Sequence, residues 1–437
     1  MKRRMKWLCL LVLGFVFLIA GSSKAEAADK PLTVNRFLTM VYTEDKAEAI
    51  PIRNATVRIL YYDAQGKRQV LRNDLTSDDN GEVKNVTVNV PEEITRIYFE
   101  YVLSRPEVGN IVNSKGITYR PITSWPIPEN RTIDVTSTRY FINAQVEDVK
   151  EYNYQSIKIW NCYYDMVMET RDSVQNALDA FPQLQSGFTY TFKPITVLYE
   201  NRYKRTNNPT FVSSSSYNIG EIKLGQSYIN IPHMDAMNTY TRAQQDEFYN
   251  VNLSHEWGHW AMHLATGRLA AGTYSSHTGF NVNETMSYKE GWSVFQANRY
   301  TYGYNWNWLL DNSIQRALGK YEFCYGRSTN WTVNSAFRDM YDIASPREPE
   351  DQYDIAQAWM PDVVNADPEY RQRLSTGLLF IIMANSKAKT FAEYIAYMDA
   401  NDFIKDGEAF NQIMQLNGFD TKGRFTLDGE GNPIVYE

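Results

Sequence analysis

The chain has 437 residues, 43% of them hydrophobic, 14% aromatic and 22% charged, which excludes disorder, collagen-like repeats and a multi-span membrane protein. Lys and Arg number 44 against 51 Asp and Glu, a formal charge of −7. No strongly basic stretch follows the first few residues, so a nucleic-acid partner held through phosphate contacts is excluded as well.

The first residues read as an address. Lys2, Arg3, Arg4 and Lys6 form a basic n-region, an apolar run from Trp7 to Ala20 follows, and Ala25-Glu26-Ala27 offers the small residues a signal peptidase reads. The run is short for a membrane span, so a signal peptide over 1–27 with cleavage after Ala27 is expected. Its removal takes five cations and one anion and leaves a mature charge of −11. The mature chain is expected to be soluble and extracytoplasmic: secreted, periplasmic or at the cell surface. Cys162 and Cys324 remain, and the sequence leaves open whether they form one disulfide or stay as two buried thiols.

From about 31 to 140 the pattern is β. Val57, Ile59 and Tyr61 alternate, as do Val86, Val88 and Val90, then Ile97, Phe99 and Tyr101. Turn chemistry separates these runs at Asp63-Ala64-Gln65-Gly66 and Asp78-Asp79-Asn80-Gly81. Asp78 and Asp79 read as a solvated turn rather than a calcium loop, because no third carboxylate follows at loop spacing. Short strands at this spacing predict an antiparallel β-sandwich over 28–140. The stretch Ala55 to Val90 resembles the prealbumin-like sandwich repeats of bacterial surface proteins.

After 140 the pattern becomes mixed. Ile157, Trp160, Tyr164, Val167 and Met168 predict a helix over 151–181, while Gly187 to Tyr199 and Gly225 to Ile231 read as strands. Helices dominate beyond 305, including Tyr370 to Ala384 and Phe391 to Met398, with a stop at Asn417-Gly418. The whole is an α+β chain: the sandwich, then a second domain over 141–437 with a metal-site lobe (141–300) and a mainly helical lobe (301–437).

Chemistry concentrates in Leu253-Ser254-His255-Glu256-Trp257-Gly258-His259-Trp260, a His-Glu-x-x-His segment. Thr241 is a plausible N-cap and Thr266-Gly267 a plausible stop, so the segment lies on a helix. Residues four apart share a helix face, so His255 and His259 can share one cation. Glu256 then lies to the side of that pair, placed to take a proton from an activated water without being a ligand. Zinc requires a third protein ligand and an open fourth position. His263, His277, Glu284 and Glu290 are the candidates. His263 sits about 6 Å further along the same helix.

His255-Glu256-x-x-His259 followed by Glu290-Gly291-Trp292 resembles the gluzincin metallopeptidases, most closely the fungalysin-like and thermolysin-like branches. The resemblance implies a zincin-like domain in which His255, His259 and Glu290 bind Zn2+ and Glu256 is the catalytic base. Ala336 to Asp342 and the helical close at Gly418-Phe419 look like the C-terminal lobe of such enzymes. Two positions depart from the pattern. The Asp usually found four residues after the ligand Glu is Val294, so Asp339, Asp342 or Glu284 is expected to orient a ligand histidine. No His follows His277, so a tyrosine, with Tyr288, Tyr300, Tyr302 and Tyr304 as candidates, is expected to stabilise the oxyanion. Tyr228 to Ile231 is a candidate edge for pairing with an extended peptide, or an ordinary core strand. His233 reads as a solvated loop residue.

These readings converge on a secreted zinc endopeptidase that acts on protein or peptide substrates. The alternative is a secreted or cell-surface, adhesin-like binding protein whose peptidase-like domain is inactive.

Overall fold

A computed structural model describes residues 29–42, 49–135, 150–200, 209–232, 240–267, 283–302, 329–342, 353–361, 367–427 and 432–436. The expected signal peptide, Cys324, His233, His277 and Tyr304 lie outside the described residues. Strands come first along the chain: β1 (Asp29–Leu38), β2 (Met40–Tyr42), β3 (Ala49–Pro51), β4 (Thr56–Tyr62), β5 (Arg68–Thr76), β6 (Glu82–Pro91) and β7 (Arg96–Val102). They continue as β8 (Ser104–Arg105), β9 (Gly109–Val112), β10 (Ile122–Pro126) and β11 (Thr132–Val135). Helix α1 (Lys150–Ala180) precedes β12 (Ile195–Glu200), β13 (Thr210–Val212) and β14 (Tyr228–Pro232). The remaining helices are α2 (Arg242–Thr266), α3 (Glu284–Tyr302), α4 (Thr329–Asp339), α5 (Ile355–Trp359), α6 (Pro368–Ser386), α7 (Phe391–Ala400) and α8 (Gly407–Leu416). The chain is thus mixed α and β, of the α+β class at the coarse level. No helix among the described residues is long and apolar enough to cross a membrane.

The chain divides into two compact units, the first taking 1–41, 51–101 and 121–145, the second 42–50, 102–120 and 146–437. In the first, one sheet runs β11-β1-β6 and another β10-β7-β4-β5. Period-two alternation places Val86, Val88 and Val90 on a buried face. The Phe37 ring of β1 stacks on Phe99 of β7, with centroids 3.7 Å apart. Both turns read from the sequence close as written, with Gly66 N–H donating to Asp63 O and Gly81 N–H to Asp78 O, each at 2.8 Å. Asp78 also accepts from the amides of Asn80 and Glu82 and from the Lys84 ammonium, so protein donors occupy its oxygens.

One stretch differs from the expected layout. Residues 102–120 read as part of the sandwich, yet they belong to the second unit. There β9 pairs parallel with β12, placing Gly109 opposite Ile195 and Val112 opposite Leu198. A parallel partner about ninety residues away leaves no local pattern, so the passage of 102–120 into the second unit is not readable from alternation.

The second unit carries a five-stranded mixed sheet in the order β13-β14-β12-β9-β8. β14 is parallel to β12, and β13 runs antiparallel to β14. Two strands expected from the sequence are therefore shorter: Gly187 ends a 3-10 turn and the strand begins at Ile195, while the later one begins at Tyr228. Tyr228 to Ile231 is an interior strand rather than an edge. The edge is Thr210–Val212.

The helices are bounded by local capping chemistry. Thr241 and Gln244 form a reciprocal capping box at the start of α2, and Gly267, at φ 75°, ends it. Asp354, Asp367, Thr390 and Asp406 accept from first-turn amides of α5 to α8. Helix α3 is tied to α1 by the buried Arg299, whose guanidinium donates to Glu169 at 2.7 and 3.0 Å and to Thr170 at 3.2 Å. That clamp sets where the face of α3 stands relative to the sheet-bearing half of the unit. Cys162, on α1, is buried.

Candidate metal centre

Glycine stands at two helix contacts around the site, α2 with α3 and α3 with α4. A Cβ on Gly258 would lie 3.1 Å from Ser293 Cα, and one on Gly291 would lie 2.5 Å from Val333 Cβ and 2.9 Å from Asn330 O. The first glycine lets α3 lie against the histidine helix; the second lets α4 press on the back of α3. Both belong to the motifs read from the sequence, which gives those glycines a packing reason.

The approach brings three side chains together. His255 Nε2 and His259 Nε2 are 3.1 Å apart, and Glu290 Oε2 is 3.3 Å from each. Among the described residues, His255, His259 and Glu290 are the group of three that could hold one metal ion. A tetrahedral ion with bonds of about 2.0–2.1 Å keeps its ligand atoms about 3.3–3.4 Å apart, close to all three separations. The donor chemistry fits too: two imidazole nitrogens and a carboxylate oxygen converge, a set that suits a divalent transition metal. His259 and Glu290 are buried, whereas the His255 side chain keeps 23% exposure, so the group opens on one side.

The three groups also shift one another's protonation. Burial works against a charged His255, but hydrogen bonding to Glu290 and the charges of Glu256 and Glu290 outweigh it and raise its pKa. Burial dominates at His259 and lowers its pKa. Burial also opposes the charged form of Glu290, yet the two histidines hold its carboxyl far below the usual carboxylate range. The Lys289 ammonium lies 3.9 Å from Glu290 Oε1, on the side away from the histidines' shared oxygen.

Glu256 is buried beside the cluster, and its Oε2 accepts the Phe211 main-chain N–H at 2.5 Å. Ser293 Oγ is 2.8 Å from His259 Nδ1. A metal on Nε2 would place the ring proton on Nδ1, where the Ser293 oxygen would accept it and hold the ring.

The other expected residues have different work. Glu284 is exposed at the start of α3 and outside the cluster. His263 stacks on Trp260 at 5.9 Å and lies 5.6 Å from Phe211. Asp342 pairs with Arg338 at 3.0 Å, and Asp339 accepts from Asn417 at 2.5 Å, so the orienting of His259 falls to Ser293 instead. Tyr288 is fully buried against Phe337 and Tyr394, because two residues before Glu290 means the opposite side of a helix. Tyr300 donates to Cys162 O at 3.0 Å, and ten residues along a helix is about 15 Å from Glu290. Tyr302 donates to Glu247. None of these three hydroxyls faces the cluster.

Ser293 and the β13 edge were missed. Ser293 had a readable signal, since it stands three residues after Glu290 on the same helix face. Phe211 had none, because what meets Glu256 is its main-chain amide. Comparison with protein-family models, with curated proteins and with solved structures gave no match.

Proposed function

We propose that the chain is an extracytoplasmic zinc-dependent endopeptidase, with His255, His259 and Glu290 as ligands and Glu256 as general base. The observation that carries this reading is the near-equilateral group of Nε2, Nε2 and Oε2 atoms beside a buried carboxylate that is not part of it. Zinc at such a site supplies Lewis acidity toward a carbonyl and makes a water more acidic. The chain's own part is to hold the two imidazoles and Glu290 in place, through Ser293 on His259 and the glycine-permitted contact of α2 with α3. Glu256 accepts a proton from the attacking water and returns it to the leaving amine. The open edge strand β13 runs past Glu256, so an extended peptide laid along it brings a peptide bond to the cluster. The first unit reads as a β-sandwich carried ahead of this domain, its two sheets meeting through Phe37 and Phe99.

A second reading is favoured by one observation: among the described candidates for the oxyanion donor, Tyr288 is buried in the core and Tyr300 and Tyr302 donate to Cys162 O and Glu247. In that reading the unit binds metal without turnover and the chain is a surface binding protein. Zinc-loaded mature protein and its Glu256→Gln variant, offered casein, separate the two. Cleavage by the first alone, with equal zinc in both, supports the peptidase; zinc in both and cleavage by neither supports the binding protein.

A further inference from the structure

We infer that the main-chain amide of Phe211 positions the catalytic base, so that the open edge of the sheet serves as a structural part of the catalytic apparatus. The inference rests on the peptidase reading above. Phe211 faces Ile229 across the antiparallel β13–β14 ladder, yet its N–H is spent on Glu256 Oε2 at 2.5 Å. In an antiparallel pair, alternate residues turn both N–H and C=O away from the partner strand, and Phe211 occupies such an outward position. The bond is charge-assisted and nearly dry, since Glu256 is 7% exposed. It fixes one carboxylate oxygen and leaves the other for proton transfer. The amide is itself held in place by helix α2, because the Phe211 ring lies 5.9 Å from Trp260 and 5.6 Å from His263. The helix that carries the base thus also locates the donor that orients it. A peptide paired along β13 finds this N–H already committed and meets the outward carbonyl of Phe211 instead.

The test removes the N–H and keeps the side chain. Nonsense suppression with phenyllactic acid at position 211 turns that amide into an ester, and the same route with phenylalanine provides the reference protein. Zinc content and the far-UV spectrum are measured on both, and steady-state kinetics on a fluorogenic peptide. The expected result is a drop in kcat of about tenfold to a hundredfold with KM within about twofold and zinc unchanged, as for a misplaced catalytic group. An ester protein as fast as the reference overturns the positioning role while leaving the peptidase reading intact. A raised KM with undiminished kcat also overturns it, assigning the N–H to substrate pairing. A phenylalanine-bearing reference protein that holds zinc yet cleaves nothing overturns the peptidase reading and this role together.

Discussion

Replacing Ser293 with alanine removes the hydroxyl that fixes the His259 ring and leaves the rest of the site in place. Ser293 has no exposed surface, and its Oγ lies 2.8 Å from His259 Nδ1. The volume freed is one oxygen atom, well below the roughly 30 Å3 a water occupies, and Gly258 packs directly against the Ser293 main chain. No water therefore replaces the lost acceptor, and the Nδ1 proton is left buried without a partner whenever Nε2 binds metal. Loss of such a partner typically weakens metal binding about 10- to 100-fold, or about 1.4–2.8 kcal/mol. Competition against a fluorescent zinc chelator measures this directly, with Glu284→Ala as the exposed-residue control. Affinity of Ser293→Ala within about twofold of wild type refutes the argument that this hydroxyl secures the ligand.

Further outcomes are expected elsewhere. Glu290→Ala loses bound zinc under dialysis while Glu284→Ala retains it, as metal analysis of the two proteins checks. Lys289→Met tightens zinc binding by a few fold at most, because the cation near Glu290 repels a divalent ion but its side chain is 31% exposed and solvent screens it. Gly291→Ala forces a Cβ to within 2.5 Å of Val333 and destabilises the fold by about 1–3 kcal/mol, read from urea unfolding. Burial pushes the Asp354 carboxyl up to about 7, above its value of about 3.9 in an unfolded chain. The native state then binds the extra proton between those values, so this group's contribution is full below about pH 4 and is lost as pH rises toward 7. Asp354→Asn keeps an acceptor for the Gln357 amide and flattens the unfolding free energy across that window, measured by urea titration at several pH values.

What the sequence disclosed follows the range of the forces involved. The histidine pair and the bounds of α2 are local: a capping box at Thr241, a glycine stop at 267 and i,i+4 spacing all lie within one helix. Glu290 lies thirty-one residues beyond His259, and only the resemblance of Glu290-Gly291-Trp292 to a known pattern singled it out against Glu284. Strand pairing was the blind spot. Tyr228 to Ile231 carries the apolar run of an interior strand, and whether it forms an edge depends on whether Thr210–Val212 adds beside it, which alternation does not encode. The same holds for β9, whose partner is β12. Tyr288 and Tyr300 lie away from the cluster for a simpler reason. Two residues from Glu290 is the opposite helix face for Tyr288, and ten residues is about 15 Å along the axis for Tyr300.

The central claim concerns one ion at one place, and anomalous diffraction at the zinc edge from crystals of the mature protein tests it most directly. The account predicts a single strong peak bonded to His255 Nε2, His259 Nε2 and a Glu290 oxygen at about 2.0–2.2 Å, with Glu256 near but not bonded. A peak bonded to other residues, or no peak from protein equilibrated with zinc, contradicts it.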